Sequence, residues 1–165
     1  MSTNDPVALT ADRILEALGA LNAELAQKDQ MGELCLFGGT VMVLVFRARP
    51  STKDVDAIFA PTGPVRDAAR RVATALDLPP DWLNDGVKGF VSTHGSVTEA
   101  PLPAFSHLRV MVPVPEYLLA MKCMAARIGR IAEEVDDVRA VLLIESPAAF
   151  RARNLFVSSN ALRRA

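Results

Sequence analysis

The stretch from Glu33 to Ala60, ELCLFGGTVMVLVFRARPSTKDVDAIFA, decides how the whole chain is read. Glu33 to Phe37 is a short apolar run that stops at Gly38-Gly39, and Thr40 to Phe46 behind it is apolar and long enough to be a buried helix. Thr52 to Ala60 then alternates, with Asp54, Asp56 and Ile58 on one side and Val55, Ala57 and Phe59 on the other. The spacing predicts a strand, a tight glycine turn, a helix, and a second, central strand.

Upstream, Thr10 with Asp12 and Arg13 opens a helix whose apolar positions Ile14, Leu15, Leu18, Leu21 and Leu25 recur at three and four, ending near Lys28. Downstream, Pro64 starts a helix with Val65, Ala68, Ala69, Val72, Ala73 and Leu76 at helical spacing and its arginines turned to water. Pro79-Pro80 ends it. Asp81 to Val91 predicts a short helix or irregular segment, and Gly95 to Ala104, with prolines at 101 and 103, a turn-rich one. His107 to Val112 is a third strand, and Pro113 and Pro115 end it and launch a helix from Glu116 to about Arg127. After Gly129 a further helix is expected from about Ile131 to Leu143, then a tail made basic by Arg151, Arg153, Arg163 and Arg164. Strands separated by helices predict an α/β (α+β) fold: a sheet flanked by helices, with a helical C-terminal third, in a single domain over residues 1–165.

With 165 residues, half of them apolar, the chain is long enough to bury a core without disulfides or structural metal and too apolar to be disordered. Its 18 basic and 19 acidic side chains leave a formal net charge of -1, which excludes a polybasic, histone-like role. A nucleic acid would have to be held by a local patch, for which Arg47, Arg49 and Lys53 are candidates, although the same residues also suit a solvated loop. Cys35 and Cys123 stand 88 positions apart with no CxxC pair, which predicts buried, reduced thiols rather than a disulfide framework or a zinc ribbon. The first residues lack a signal-peptide pattern and no apolar run approaches about 18 residues, so the expectation is a cytoplasmic protein with no membrane association.

The chemistry is concentrated in Gly38-Gly39-Thr40, a spacer of thirteen residues (41 to 53), and Asp54-Val55-Asp56. Two carboxylates two apart on a strand share a side, and packed into a sheet they repel one another unless something cationic sits between them. A divalent metal would serve, and Mg²⁺ suits a site of oxygen ligands that also holds phosphates. The glycine pair would let backbone N–H groups at a helix start approach a phosphate chain, with the Thr40 hydroxyl as a further donor. The plainer alternative is a tight turn followed by two acids on an exposed strand end. Between Tyr117 and Ala126 the polar exception in an apolar run is Lys122, whose ammonium must snorkel, pair with an acid or meet a ligand phosphate. Trp82, Asp85 and Lys88-Gly89 are candidates for lining the cleft, while His94 and His107 suggest no catalysis.

Together these residues resemble the nucleotidyltransferase superfamily with the DNA polymerase β-like fold, whose signature is a Gly-Gly or Gly-Ser pair, a spacer of about this length and an Asp-x-Asp on the next strand. Within it the chain is similar to the toxin-type branch, the AbiEii/MenT-like nucleotidyltransferases. Arg49 and Thr52 ahead of Lys53-Asp54-Val55-Asp56 resemble the approach to the metal strand. Tyr117-Leu118-Leu119-Ala120-Met121-Lys122 with Ala125, Ala126 and Arg127 resembles a second motif, and Glu133-Glu134-Val135-Asp136-Asp137-Val138 a third. The resemblance covers roughly residues 30 to 145 and implies a small mixed nucleotidyltransferase sheet. Two positions depart from it: no Asp or Glu lies between Glu99 and Glu116 to supply a third metal acid on strand 107–112, and Glu133 stands where the family has lysine.

What the resemblance implies is a Mg²⁺-dependent (or Mn²⁺-dependent) enzyme with an NTP as substrate. Asp54 and Asp56 would bind the metal, with Lys122 and Asp137 as further catalytic residues. Gly38, Gly39, Thr40, Arg49, Thr52, Lys53 and Lys122 would bind the nucleotide. Glu134 and Asp136 stand beside Asp137 as acids able to align the lysine or the attacking group. The product would be a nucleotidylated RNA, such as a tRNA 3′ end, or a nucleotidylated protein. A toxin role with a cognate antitoxin follows by the same analogy. The alternative is a non-catalytic member of the fold that binds a nucleotide or a protein.

Overall fold

The structure is a computed structural model that describes residues 8–92 and 95–126. The expected helix from Ile131, the motif around Asp137 with Glu133, Glu134 and Asp136, and the basic tail lie outside the described residues, as does His94.

A two-residue strand β1 (Leu9–Thr10) leads into α1 (Ala11–Ala26), where Thr10 caps the helix by accepting a hydrogen bond from the Arg13 N–H at 3.3 Å. The helix closes with Asp29 in the left-handed region (φ 49°) and the Gln30 N–H donating to the Leu25 carbonyl at 3.0 Å. There follow β2 (Gly32–Leu36), α2 (Gly38–Leu44), β3 (Ser51–Thr52), β4 (Val55–Ala60), α3 (Thr62–Ala75), β5 (Leu83–Asn84), a 3₁₀ turn (Gly86–Phe90), β6 (Val97–Glu99), β7 (Leu108–Pro113) and α4 (Pro115–Ala126). The main sheet has the order β5-β4-β2-β7-β6, and β1 and β3 form a separate two-stranded ribbon. The sheet is mixed: β4 runs antiparallel to β2 and parallel to β5, whereas β7 is parallel to β2 and antiparallel to β6. This α/β arrangement agrees with the pattern of alternating elements.

Alternation along the strands sorts the two faces. Leu34 and Leu36 of β2, Val55, Ala57 and Phe59 of β4, and Leu108, Val110 and Val112 of β7 are buried. They join one core with Ile14, Leu18, Leu21 and Leu25 of α1 and Val65, Ala68 and Val72 of α3. Each such leucine or valine contributes roughly 2 kcal/mol on leaving water, which is why α1 and α3 are held to this face. Arg71 of α3 pairs with Glu24 of α1 across the helix pair and is half-buried there, whereas Arg66 and Arg70 are exposed. The other face carries Cys35, Asp56, Ile58 and Met111, brought side by side by the pairings Cys35 with Ile58 and Cys35 with Met111.

Three expectations are corrected. The strand expected over 52–60 is two pieces, because Ser51 and Thr52 pair with Thr10 and Leu9 while Lys53 and Asp54 bend between them and β4. The irregular stretch 95–104 contains β6, whose short run borrows its hydrogen bonds from the edge of β7. Trp82 does not line a cleft: it is fully buried, its indole N–H donating to the Ala69 carbonyl at 3.0 Å, because so large an aromatic ring gains most by burial when its one polar atom finds a partner. Among the described residues no helix is long and apolar enough to cross a membrane.

Candidate functional site

The site forms where β2 ends and β4 begins. Gly38 opens α2 at φ +58°, a conformation that side chains other than glycine adopt at a cost. A methyl group there would sit 2.7 Å from Asp56 Oδ2, and one at Gly39 would sit 2.6 Å from Thr52 Oγ1. The room these glycines make is therefore taken by the protein's own side chains. They seat the Asp56 carboxylate and the Thr52 hydroxyl against the start of α2. The expectation that the Thr40 hydroxyl is a donor to a phosphate chain is corrected. Thr40 is fully buried, and its hydroxyl donates to the Asp54 carbonyl at 3.2 Å, so it holds the bend that carries Asp54 instead of facing a ligand. Since α2 is two turns long, any contribution from its dipole is small.

Asp56 projects from β4 onto the face away from the core, and Asp54 stands in the bend just before the strand. The two acids are bridged by a residue absent from the sequence-derived set. Asn84 of β5 lies opposite Asp56 in the parallel pairing of β4 with β5, and its Nδ2 donates to Asp54 Oδ2 at 3.0 Å. Its Oδ1 accepts from the Gly86 N–H at 3.0 Å, which orients the amide with its donor side towards the carboxylates. The signal that could have found it is weak: one polar residue among Trp82-Leu83-Asn84, whose pairing to β4 no local pattern announces.

Electrostatics tie the group to α4. Burial, and then the charge of Asp54, push the Asp56 carboxyl above its ordinary range; a hydrogen bond from Asn84 and the charge of Lys122 pull it partly back. Lys122 itself is 7% exposed, so the expected alternative of an ammonium snorkelling into water does not hold. Its charge lies within reach of Asp56 across the gap between α4 and β4.

Gly38, Gly39, Thr40, Thr52, Asp54, Asp56 and Lys122 are thus gathered at one edge of the sheet. Arg49 sits half-buried in the loop between α2 and β3, with Arg47 and Lys53 exposed on either side of it. Next to Asn84, Asp85 pairs with Lys88 at 2.6 Å and with Arg66 at 2.9 Å. Both cysteines are free, but Cys35 is half-buried and Cys123 exposed, so neither is the fully buried thiol expected: Cys35 is on the sheet face away from the α1–α3 core, and Cys123 is turned about 100° from Lys122 around α4.

No family model, curated protein or solved structure matches the chain. The chemistry of the site rests on its own donor set. Among the described residues no three His, Cys, Asp or Glu side chains cluster so as to hold a metal by themselves. Two carboxylates that repel one another, with oxygen donors alone, do fit a hard cation that completes its shell with water and phosphate. The third acid sought on strand 107–112 would not have reached them in any case, because β7 borders β2 and β6, not β4. The strand that borders β4 on its other side, β5, presents Asn84.

Proposed function

We propose that the chain is a Mg²⁺-dependent nucleotidyltransferase that moves a nucleoside monophosphate from an NTP to a hydroxyl of RNA or protein. The observation that carries this reading is the convergence of Asp56, Asp54 and the buried Lys122 on one sheet edge, with the glycine turn seating Asp56. Two neighbouring acids, one on β4 and one in the bend before it, beside a buried ammonium are poor for stability and well suited to a ligand that is both a polyphosphate and a metal carrier.

Asp54 and Asp56 would hold Mg²⁺, which when bound supplies charge neutralisation of the triphosphate. Lys122 faces the phosphates as a point charge and offsets the negative charge that builds on departing pyrophosphate as the acceptor oxygen attacks the α-phosphorus in line. Asn84 keeps the two carboxylates from turning apart by donating to one and standing beside the other. Thr40 fixes the bend through its hydrogen bond to the Asp54 carbonyl. Most of this is positioning of groups that already carry their charge.

The acceptor on this reading is an RNA, including a tRNA 3′ end, or a protein hydroxyl, and the biological role is that of a toxin restrained by a cognate antitoxin. Incubation with each radiolabelled NTP, Mg²⁺ and either total tRNA or cell lysate is expected to label RNA or protein, and Asp56→Ala to abolish the label. Labelling that survives the substitution overturns the assignment. Growth arrest on expression, lost in the same variant, tests the toxin role. A second reading, a non-catalytic nucleotide-binding member, is favoured by Asn84 standing where a third acid would border Asp56. It predicts Mg²⁺-NTP binding with no transfer to any acceptor.

A further inference from the structure

A cavity of about 290 Å³ opens on the sheet face opposite the α1–α3 core, at the lower end of the range of small-molecule sites. Its floor is Cys35, Ile58 and Met111, and Tyr117 of α4 forms one wall. The floor continues into the acid site: on β4 the side chains of Asp56, Ile58 and Ala60 share a face, so Ile58 lies about 7 Å beyond Asp56 along the strand. On α4, Tyr117 stands at the cavity and Lys122 near Asp56, about 7.5 Å apart along the helix axis and about 140° apart around it. The strand thus places an apolar slot one sugar's reach from the charged group.

Resting on the nucleotidyltransferase reading, we infer that this cavity is the subsite for the nucleobase of the NTP. Its contents suit a flat ring. The sulfur atoms of Cys35 and Met111 and the branched side chain of Ile58 give a soft, polarisable floor. Burial pushes the Cys35 thiol up to about 11, so the floor stays uncharged at neutral pH. The far wall is held shut by Tyr117, whose hydroxyl accepts from the Ser92 N–H at 2.7 Å and donates to the Ser92 carbonyl at 3.3 Å, while the backbone at Gly95 packs on its ring. Glu33, at the rim, is an acceptor for ring N–H or amino groups. The volume admits one ring system and leaves the ribose and phosphates to reach towards Lys122.

Calorimetric titration in Mg²⁺ separates this from binding of the phosphates alone, using the four NTPs and inorganic tripolyphosphate as probes. At least one NTP is expected to bind tenfold or more tightly than tripolyphosphate. Ile58→Trp, which fills the slot, is expected to bring that NTP within threefold of tripolyphosphate while leaving tripolyphosphate binding within threefold of wild type. In the unsubstituted protein the same NTP, but not tripolyphosphate, is expected to slow methylthiolation of Cys35 at least fivefold relative to Cys123. Equal binding of NTP and tripolyphosphate by the wild-type protein, or a tenfold preference kept by Ile58→Trp, or Cys35 unprotected by a bound NTP, overturns the subsite. Binding of neither probe overturns the nucleotidyltransferase reading and the subsite with it.

Discussion

Adding one methyl group at Gly38 and one at Gly19 should move stability in opposite directions. At Gly38 the backbone sits at φ +58°, which costs a side-chain-bearing residue of order 1 kcal/mol or more. The new Cβ would also meet Asp56 Oδ2 at 2.7 Å, forcing a carboxylate that is rooted in β4 off its rotamer for about another 1 kcal/mol. The expected loss is about 2 to 3 kcal/mol, or roughly 5 to 10 °C in Tm for a chain of this length. At Gly19, inside α1, a Cβ meets nothing within 4 Å, and alanine should add about 0.5 to 1 kcal/mol through helix propensity alone. Thermal melts by circular dichroism of the two variants and the wild-type protein read both effects. Repeating the melts in Mg²⁺ and NTP reads the functional part: Gly38→Ala should lose most of the ligand-induced rise, and Gly19→Ala should keep it. A Gly38→Ala protein that melts within 1 °C of wild type, or a Gly19→Ala protein that melts lower, refutes the reasoning about this turn.

Two further substitutions test the charges. In Asp56→Asn without metal, Tm at pH 7 should rise, because burial and the charge of Asp54 disfavour the ionised carboxyl in the folded state. The sign follows from the raised carboxyl: the folded state holds that proton more tightly than the unfolded chain, so stability is lost as pH rises from the ordinary value of 3.8 through the raised one. The gain should accordingly shrink as melts are taken towards pH 4, and a gain that grows on acidification contradicts the assignment. Asn84→Asp keeps an oxygen for the Gly86 N–H and turns a third carboxylate towards Asp54 and Asp56. It should cost about 2 kcal/mol in the absence of metal and tighten Mn²⁺ binding about tenfold, measured by electron paramagnetic resonance titration. Unchanged or weaker Mn²⁺ binding would show that Asn84 does not face the ion.

The local patterns that carry their own physics were legible. A three-and-four repeat with Thr10 at its start is a helix in almost any context, and the alternation of Val55, Ala57 and Phe59 against Asp56 and Ile58 assigns the faces of β4. The turn at Gly38-Gly39 was likewise readable, because a glycine pair that stops one apolar run and precedes another marks a turn. Strand order was not. Nothing within residues 83–84 says that they hydrogen-bond to β4, and nothing within 108–113 says that they border β2, because each pairing is chosen by contacts tens of residues away.

For the same reason the sequence by itself determined which residue types are available for chemistry, and the tertiary structure alone decided what each one faces. Thr40 reads as a donor until packing closes over it, and Lys122 reads as equally able to snorkel or to bind until α4 sets it down beside Asp56. Asn84 has no meaning until β5 lies against β4. Side-chain identity is a property of the chain, but burial and the charge a group experiences are sums over neighbours, and the neighbours exist only once the sheet has formed.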